Sequence, residues 1–81
     1  MSQSSQPKPI GFTTHADERM AARGISRNQV VNTIRQPATR EAGNTEYTQR
    51  LERDFHPNRR LVAIVEELPD RIKVVTAYWK S

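Results

Sequence analysis

The stretch LVAIVEE, residues 61–67, constrains the fold more than any other part of this sequence. Neighbouring positions in it are apolar, so both faces of an extended strand would carry apolar side chains, as in a strand at the centre of a sheet. HPNR at 56–59 and LPD at 68–70 bound it with residues that are typical of turns. We therefore expect residues 61–67 to form a central strand with a neighbour on each side.

The segment before this strand, EYTQRLERDF at residues 46–55, alternates in polarity with a period of two. Such alternation predicts a strand with one face on the core and one face in water. We expect a half-exposed outer strand with Tyr47, Leu51 and Phe55 facing inward. The side chains predicted to face solvent are Glu46, Arg50, Glu52 and Asp54.

The segment after it, RIKVVTAYW at residues 71–79, predicts a third strand. Regular alternation divides its side chains into two rows, one on each face. One row is Ile72, Val74, Thr76 and Tyr78, and the other is Val75, Ala77 and Trp79. The second row would form an exposed apolar face that can meet another chain or a second copy of this one.

Two short helices are predicted before the strands. The first covers residues 14–23, with the Thr14 hydroxyl as its cap and Gly24, which tolerates a left-handed backbone, as its stop. The second covers residues 27–35 and begins with a capping box at Ser26. Its inward-facing apolar stripe is Val30, Val31 and Ile34.

These elements predict an α+β domain in which two short N-terminal helices pack on one face of a three- to four-stranded antiparallel β-meander. A short strand at residues 10–13 would be the fourth strand. Residues 1–9 are polar and contain two prolines, so they are predicted to be a disordered tail. Residues 10–81 are then a single domain, because so short a chain cannot build two cores.

The amino-acid composition limits the functions and sites that this chain can have. The net charge of +4, from 13 Lys and Arg against 9 Asp and Glu, fits a polyanionic partner. Cysteine is absent, which excludes disulfides and thiolate chemistry and makes a reducing cytoplasm the expected location. No apolar run approaches the roughly 20 residues that cross a bilayer, so no membrane contact is predicted. With two separate histidines and isolated glycines, the sequence indicates neither a metal nor another cofactor.

A basic stripe runs along the first predicted helix, because His15, Arg19 and Arg23 recur every four residues. On a helical wheel the stripe borders the buried positions Ala16 and Met20 instead of lying opposite them. Side chains at such a border can lie against the sheet and direct their polar ends into a cleft, which suits an anion. The simpler alternative is that both arginines are solvated and pair with acidic residues of the same helix.

The runs HADERMAARGIS, VVNTI and KVVTAYW resemble a bacterial and phage family of domains of unknown function. That family has a helix with His, Arg-Met and Arg-Gly-Ile, and a valine-rich last strand with Thr and Tyr-Trp. The resemblance covers about residues 10–79. The family is similar in architecture to RelE/ParE-like toxins and to metal-independent ribonucleases. The resemblance therefore implies a ribonuclease of the toxin–antitoxin type that acts on RNA phosphodiesters, with an antitoxin as its partner.

Metal-free RNA cleavage requires a base for the 2′-hydroxyl, an acid for the leaving oxygen, and positive charge beside the phosphorus. By position, the resemblance implies that His15 and Tyr78 are the catalytic residues, His15 as base or acid and Tyr78 as a proton donor or as a group that orients the substrate. It implies that Arg19 and Arg23 bind the phosphate, and that Thr76 supports Tyr78 by hydrogen bonding.

Four further positions enter these hypotheses. His56 is either a turn residue or a second acid–base group, Arg59 and Arg60 beside it extend the basic surface, and Trp79 can stack on a base. Three functions remain open: a ribonuclease, a nucleic-acid-binding domain without catalysis, and a protein-interaction domain or homodimer that pairs through the outer apolar row.

Overall fold

The structure is a computed structural model, and it describes residues 8–55 and 58–80. The predicted tail up to residue 7 and the turn residues His56 and Pro57 lie outside the described residues. The elements in chain order are β1 (Ile10–Phe12), α1 (Thr14–Ala22), α2 (Arg27–Arg35), β2 (Thr39–Ala42), β3 (Thr48–Phe55), β4 (Arg59–Glu67) and β5 (Ile72–Lys80).

The strands form one five-stranded mixed sheet in the order β1-β5-β4-β3-β2. β1 is parallel to β5, and all other neighbours are antiparallel. Both helices pack on the same face, α1 against β5 and α2 against β3 and β4. The α+β class, the meander, the central position of β4 and the extra N-terminal strand are confirmed. The strand number and the purely antiparallel arrangement are corrected, because β2 joins one edge and β1 joins the other in parallel.

Two residues assigned to the tail belong to the fold. Lys8 Nζ donates to the carbonyl oxygen of Leu68 at 3.0 Å, and the amide of Ile72 donates to the carbonyl of Pro9 at 2.9 Å. These bonds attach the chain before β1 to the connection between β4 and β5.

Strand β2 has no apolar pattern, and no element is predicted for its residues. All four residues of Thr39–Ala42 are exposed, and the strand is held by its backbone pairing with β3. Its presence makes β3 an inner strand instead of the predicted outer strand. Tyr47, predicted to face inward, precedes β3 in the chain and is 60% exposed.

The ends of α1 follow from local chemistry. The cap is Thr13, one residue before the predicted Thr14, and its hydroxyl accepts a hydrogen bond from the Ala16 amide at 2.9 Å. At the other end Gly24 has φ of +67°, and the Ile25 amide donates to the Met20 carbonyl at 2.9 Å. This bond pattern is a Schellman motif, which requires a left-handed residue where the sequence has glycine.

Helix α2 matches its predicted bounds and its predicted capping box. The Gln29 amide donates to the Ser26 hydroxyl at 3.1 Å, and the Ser26 amide donates to the Gln29 side chain at 3.0 Å. Val30 and Ile34 are buried as expected. Thr33 is buried as well, and its hydroxyl is satisfied by the Gln29 carbonyl at 2.8 Å.

The core lies between the helices and one face of the sheet. It contains residues from both helices and from the three long strands. Its buried members are Ala16, Met20, Ile25, Val30, Ile34, Leu51, Leu61, Ala63, Val65, Val74 and Ala77, with Ile10, Phe12, Phe55, Ile72 and Trp79 packed against them.

An irregularity in β5 changes which side chains share a face. Ile64 pairs with Thr76 while its neighbour Val65 pairs with Val74, so Val75 is the extra residue of a β-bulge. The bulge breaks the alternation, and Val74 and Ala77 both face the core. The predicted rows of β5 are therefore wrong beyond Val74.

The sheet face opposite the helices, which we call the open face, is covered by charged side chains. Val62 lies on this face and is nevertheless 0% exposed. Beside it, Glu52 is only 3% exposed. Glu52 Oε1 accepts from Arg60 Nε at 2.6 Å, and Lys80 Nζ lies 3.5 Å from the same oxygen. Arg50 Nε lies 3.2 Å from Glu52 Oε2, a charge contact without hydrogen-bond geometry.

The hydrogen bond from Arg60, with the charges of Arg60 and Lys80, lowers the pKa of Glu52 below its ordinary value although burial opposes the shift. A carboxylate whose pKa is lower in the folded chain contributes stability above its unfolded pKa, about 4.3, and loses it as the pH falls. We expect wild-type stability to fall more steeply below about pH 5 than that of Glu52→Gln.

At neutral pH, Glu52→Gln should cost roughly 1–3 kcal/mol, because it leaves buried donors without their charged acceptor. Urea unfolding across the acid range measures both effects. Parallel stability curves for the two proteins would show that Glu52 does not contribute to the acid transition.

Candidate nucleic-acid interface

The basic stripe of α1 lies beside one edge of the sheet. Ala16 and Met20 of α1 are buried against the sheet, while His15 and Arg19 are exposed and Arg23 is half-buried. The opposite flank of α1 faces α2, because Arg27 at the start of α2 donates two hydrogen bonds to Asp17, at 2.6 and 3.1 Å. The stripe is therefore on the flank that faces away from α2.

Arg23 connects α1 to the edge of β5. Its Nη1 donates to the Ala77 carbonyl at 2.8 Å and lies 3.4 Å from the Thr76 hydroxyl. The Arg23 carbonyl in turn accepts from Trp79 Nε1 at 3.1 Å. Because β1 pairs with β5 only at residues 72–74, the rest of β5 is an edge, and the guanidinium satisfies one of its carbonyls.

Arg19 is not neutralised by any residue that the structure describes. Among residues 8–55 and 58–80, neither Arg19 nor His15 has a side-chain hydrogen bond or an ion pair. Asp17 is occupied by Arg27, and this bond raises the pKa of Arg27. The alternative in which Asp17 pairs with the arginines of its own helix is therefore wrong.

The other predicted catalytic group lies across the sheet. Tyr78 pairs with Val62 and, with Thr76, lines a cavity on the open face, whereas α1 and His15 are on the helical side. The structure places His15 and Tyr78 on opposite sides of the sheet and shows no contact between them. It does bring Arg23 and Thr76 together, at the edge of β5.

The open-face cavity has a volume of about 340 Å³. It lies between β5, the middle of β3 and β4, and the turn that joins β2 to β3. Arg50 at its wall is bonded to Glu41 and contacts Glu52, so its charge is compensated. The lining residues are Ala42, Gly43, Asn44, Thr48, Arg50, Ile64, Thr76 and Tyr78.

Trp79 is not available for the predicted stacking on a base. The Phe55 ring meets it edge-on, with centroids 6.2 Å apart, and the Arg59 guanidinium lies 3.8 Å above its centre. Ala77 is fully buried, so the outer apolar row predicted for β5 is not an exposed face. The protein-interaction hypothesis, with its second chain or homodimer, loses the surface that motivated it.

Arg60 is on the open face and does not extend the basic stripe. Its Nη1 donates to Asp54 at 2.6 Å, besides the bond from its Nε to Glu52. These two acids raise the pKa of Arg60 and compensate its charge. His56, the other supporting residue, lies outside the described residues.

Within the described ranges, no cluster of three or more His, Asp or Glu side chains is arranged to hold a metal ion. The two helices there have nine residues each, too few to cross a membrane.

Sequence reasoning missed three cavity residues that bear polar groups: Asn44, Thr48 and Arg50. Asn44 lies outside every predicted element, and Arg50 is predicted to face solvent. Gly43 was a usable signal, since a Cβ there would lie 2.5 Å from the Thr48 side chain, and such a close approach marks a tight, shaped turn.

Comparison with known families gives one match. Residues 12–79 match the family described as Domain of unknown function (DUF4258). No curated protein and no solved structure matches the sequence.

The contacts of Arg23 predict a structural role that Arg19 does not share. Arg23→Ala should lower the free energy of unfolding by roughly 1–2 kcal/mol, because it leaves the Ala77 carbonyl without its donor and removes packing at the helix end. Arg19→Ala is the matched control, with the same loss of charge on the same helix, and should stay within about 0.5 kcal/mol. Urea unfolding at neutral pH measures both, and equal losses would contradict the role given to Arg23.

Proposed function

We propose that this chain, which belongs to the family Domain of unknown function (DUF4258), binds RNA through the basic stripe of α1. The observation that carries the proposal is the state of Arg19, which is exposed, lies one helical turn before Arg23 on α1 and has no side-chain partner within the described residues. An arginine in this state can grip a phosphate through two parallel hydrogen bonds.

Arg23 supports the same site. Its Nη1 is used by Ala77 and Thr76, but a guanidinium carries five N–H donors, so others remain for a phosphate. Its bond to the sheet fixes the direction of the side chain, which reduces the entropy lost when an anion binds. Arg23 is then the positioned cation and Arg19 the mobile one.

The charges of the open face favour α1 as the place where a phosphate binds. On the open face Arg50, Arg60 and Lys80 surround Glu52, and Arg50 and Arg60 also meet Glu41 and Asp54. The net charge of +4 is therefore not distributed evenly over the surface. The cations without acidic partners, Arg19 among them, provide the attraction for a polyanion.

A second candidate function is metal-independent cleavage of the bound RNA, as in RelE/ParE-like toxins. The contact of 3.4 Å between Arg23 and Thr76 favours this function. It places the guanidinium that we propose for the phosphate next to β5, the strand that bears Tyr78. On this arrangement Tyr78 donates a proton to the leaving 5′-oxygen, with Thr76 beside it, and water accepts the proton of the attacking 2′-hydroxyl. His15, on the other side of the sheet, contributes to binding instead.

Binding is tested with a labelled single-stranded RNA of mixed sequence, followed by fluorescence anisotropy at several salt concentrations. Arg19→Gln should weaken binding several-fold and reduce the salt slope by about 0.7, as expected for one lost phosphate contact. Arg35→Gln is the control, since Arg35 is also exposed and ends α2, away from β5. Equal effects of the two variants would show that the attraction is not located on α1, and no binding at low salt would refute the proposal.

Cleavage is tested on the same RNA in the presence of EDTA. If the second candidate is correct, Tyr78→Phe should reduce the rate by about a hundredfold or more, while His15→Ala retains most of it. A larger loss in His15→Ala than in Tyr78→Phe would contradict the assignment of the proton transfer to Tyr78. Intact RNA with the wild-type protein would remove the ribonuclease and leave binding as the function.

A further inference from the structure

We infer that the open-face cavity between Tyr78, Ile64 and the turn from β2 to β3 binds a nucleobase. This inference rests on the proposed RNA binding and adds the subsite that holds the uncharged part of the nucleotide. The cavity volume of about 340 Å³ falls within the range of small-molecule sites.

The walls provide contacts for a flat ring. Tyr78 contributes an aromatic side chain and Ile64 an aliphatic one, both half-buried on the open face. An aromatic ring can stack on any of the bases, because every base presents a π-face. The stacking residue of this cavity is therefore Tyr78, the aromatic side chain among its lining residues.

Polar groups surround the same space. The Thr48 hydroxyl is bonded to that of Thr45 at 2.7 Å and keeps a further lone pair, while the Asn44 side chain is exposed. Hydroxyl and amide groups donate and accept hydrogen bonds, as the edges of bases do. These groups can therefore pair with a base edge without supplying net charge.

The charge of the cavity selects against a phosphate in this position. Arg50 is its only charged lining residue, and its guanidinium is bonded to Glu41 and contacts Glu52. Glu41 compensates the charge of Arg50, and Glu52 is shared with Arg60 and Lys80, so no excess positive charge is left at the cavity for an anion. An uncharged planar group is the ligand that this cavity favours, whereas the phosphate fits the stripe of α1.

Thr76 joins the two sites. It lines the cavity, and its hydroxyl lies 3.4 Å from Arg23 Nη1. A nucleotide can thus cross the edge of β5 with its phosphate at Arg23 and its base against Tyr78. This path over the edge is open because β1 stops pairing at Val74.

The first test uses uridine and adenosine, which carry a base but no phosphate, with ribose alone as the control ligand. Amide NMR spectra of the protein should show saturable shifts at Asn44, Thr48, Thr76 and Tyr78 with the nucleosides and none with ribose. Absence of saturable shifts would overturn the inference.

The variants are Tyr78→Leu, which keeps an apolar side chain but removes the ring, and Tyr47→Leu as a matched control. Tyr47 is 60% exposed and does not line the cavity. Nucleoside shifts should be lost in Tyr78→Leu and retained in Tyr47→Leu and in Arg19→Gln. Shifts that persist in Tyr78→Leu would also overturn the inference.

A second test separates this inference from RNA binding itself. The affinity of the wild-type protein is measured for an RNA strand and for an abasic strand with the same number of phosphates. The RNA should bind at least about fivefold more tightly, and Tyr78→Leu should remove the difference. Equal binding of both strands overturns the base subsite and leaves RNA binding intact. Failure of both strands to bind, with nucleoside shifts present, overturns the proposed RNA binding instead.

Discussion

Strand β4 requires cover on both faces, and the chain provides it in two different ways. Ala63 and Val62 are neighbours on β4 that point to opposite faces, and both are fully buried. The helices cover the side of Ala63 with apolar side chains. The side of Val62 is covered by the long side chains of charged residues centred on Glu52. A chain of 81 residues can thereby bury a central strand without a second layer on the open face.

This way of covering the sheet also distributes the charge. The cations of the open face are held by Glu52, Asp54 and Glu41, so they stabilise the fold and are not free to attract an anion. The exposed cation on α1, Arg19, has no such acid within the described residues. The two sides of the sheet consequently differ in how their cations are compensated.

Arg23 lies at the edge of β5, between the helical side of the sheet and the open face. Helix α1 ends at Ala22, and the left-handed Gly24 stops it just after Arg23. The Arg23 guanidinium bonds Ala77 and approaches Thr76 at the unpaired edge of β5. Without the bulge at Val75, Thr76 and Tyr78 would share the face of Val74 and lie beneath the helices. The helix cap and the bulge together place a cation, a hydroxyl and a phenol around one strand edge.

The sequence by itself determined the features that depend on near neighbours. The capping box of Ser26, the stop at Gly24 and the central position of residues 61–67 each follow from a few adjacent residues, and the basic stripe follows from helical spacing. Only the tertiary structure decided the features that depend on distant pairing. Strand β2 has no apolar pattern and exists because β3 offers it hydrogen bonds, and the face of Tyr78 is set by one extra residue in the register with β4. A register shift reverses every following side chain, and no local pattern records it, because it is fixed by backbone hydrogen bonds to another strand.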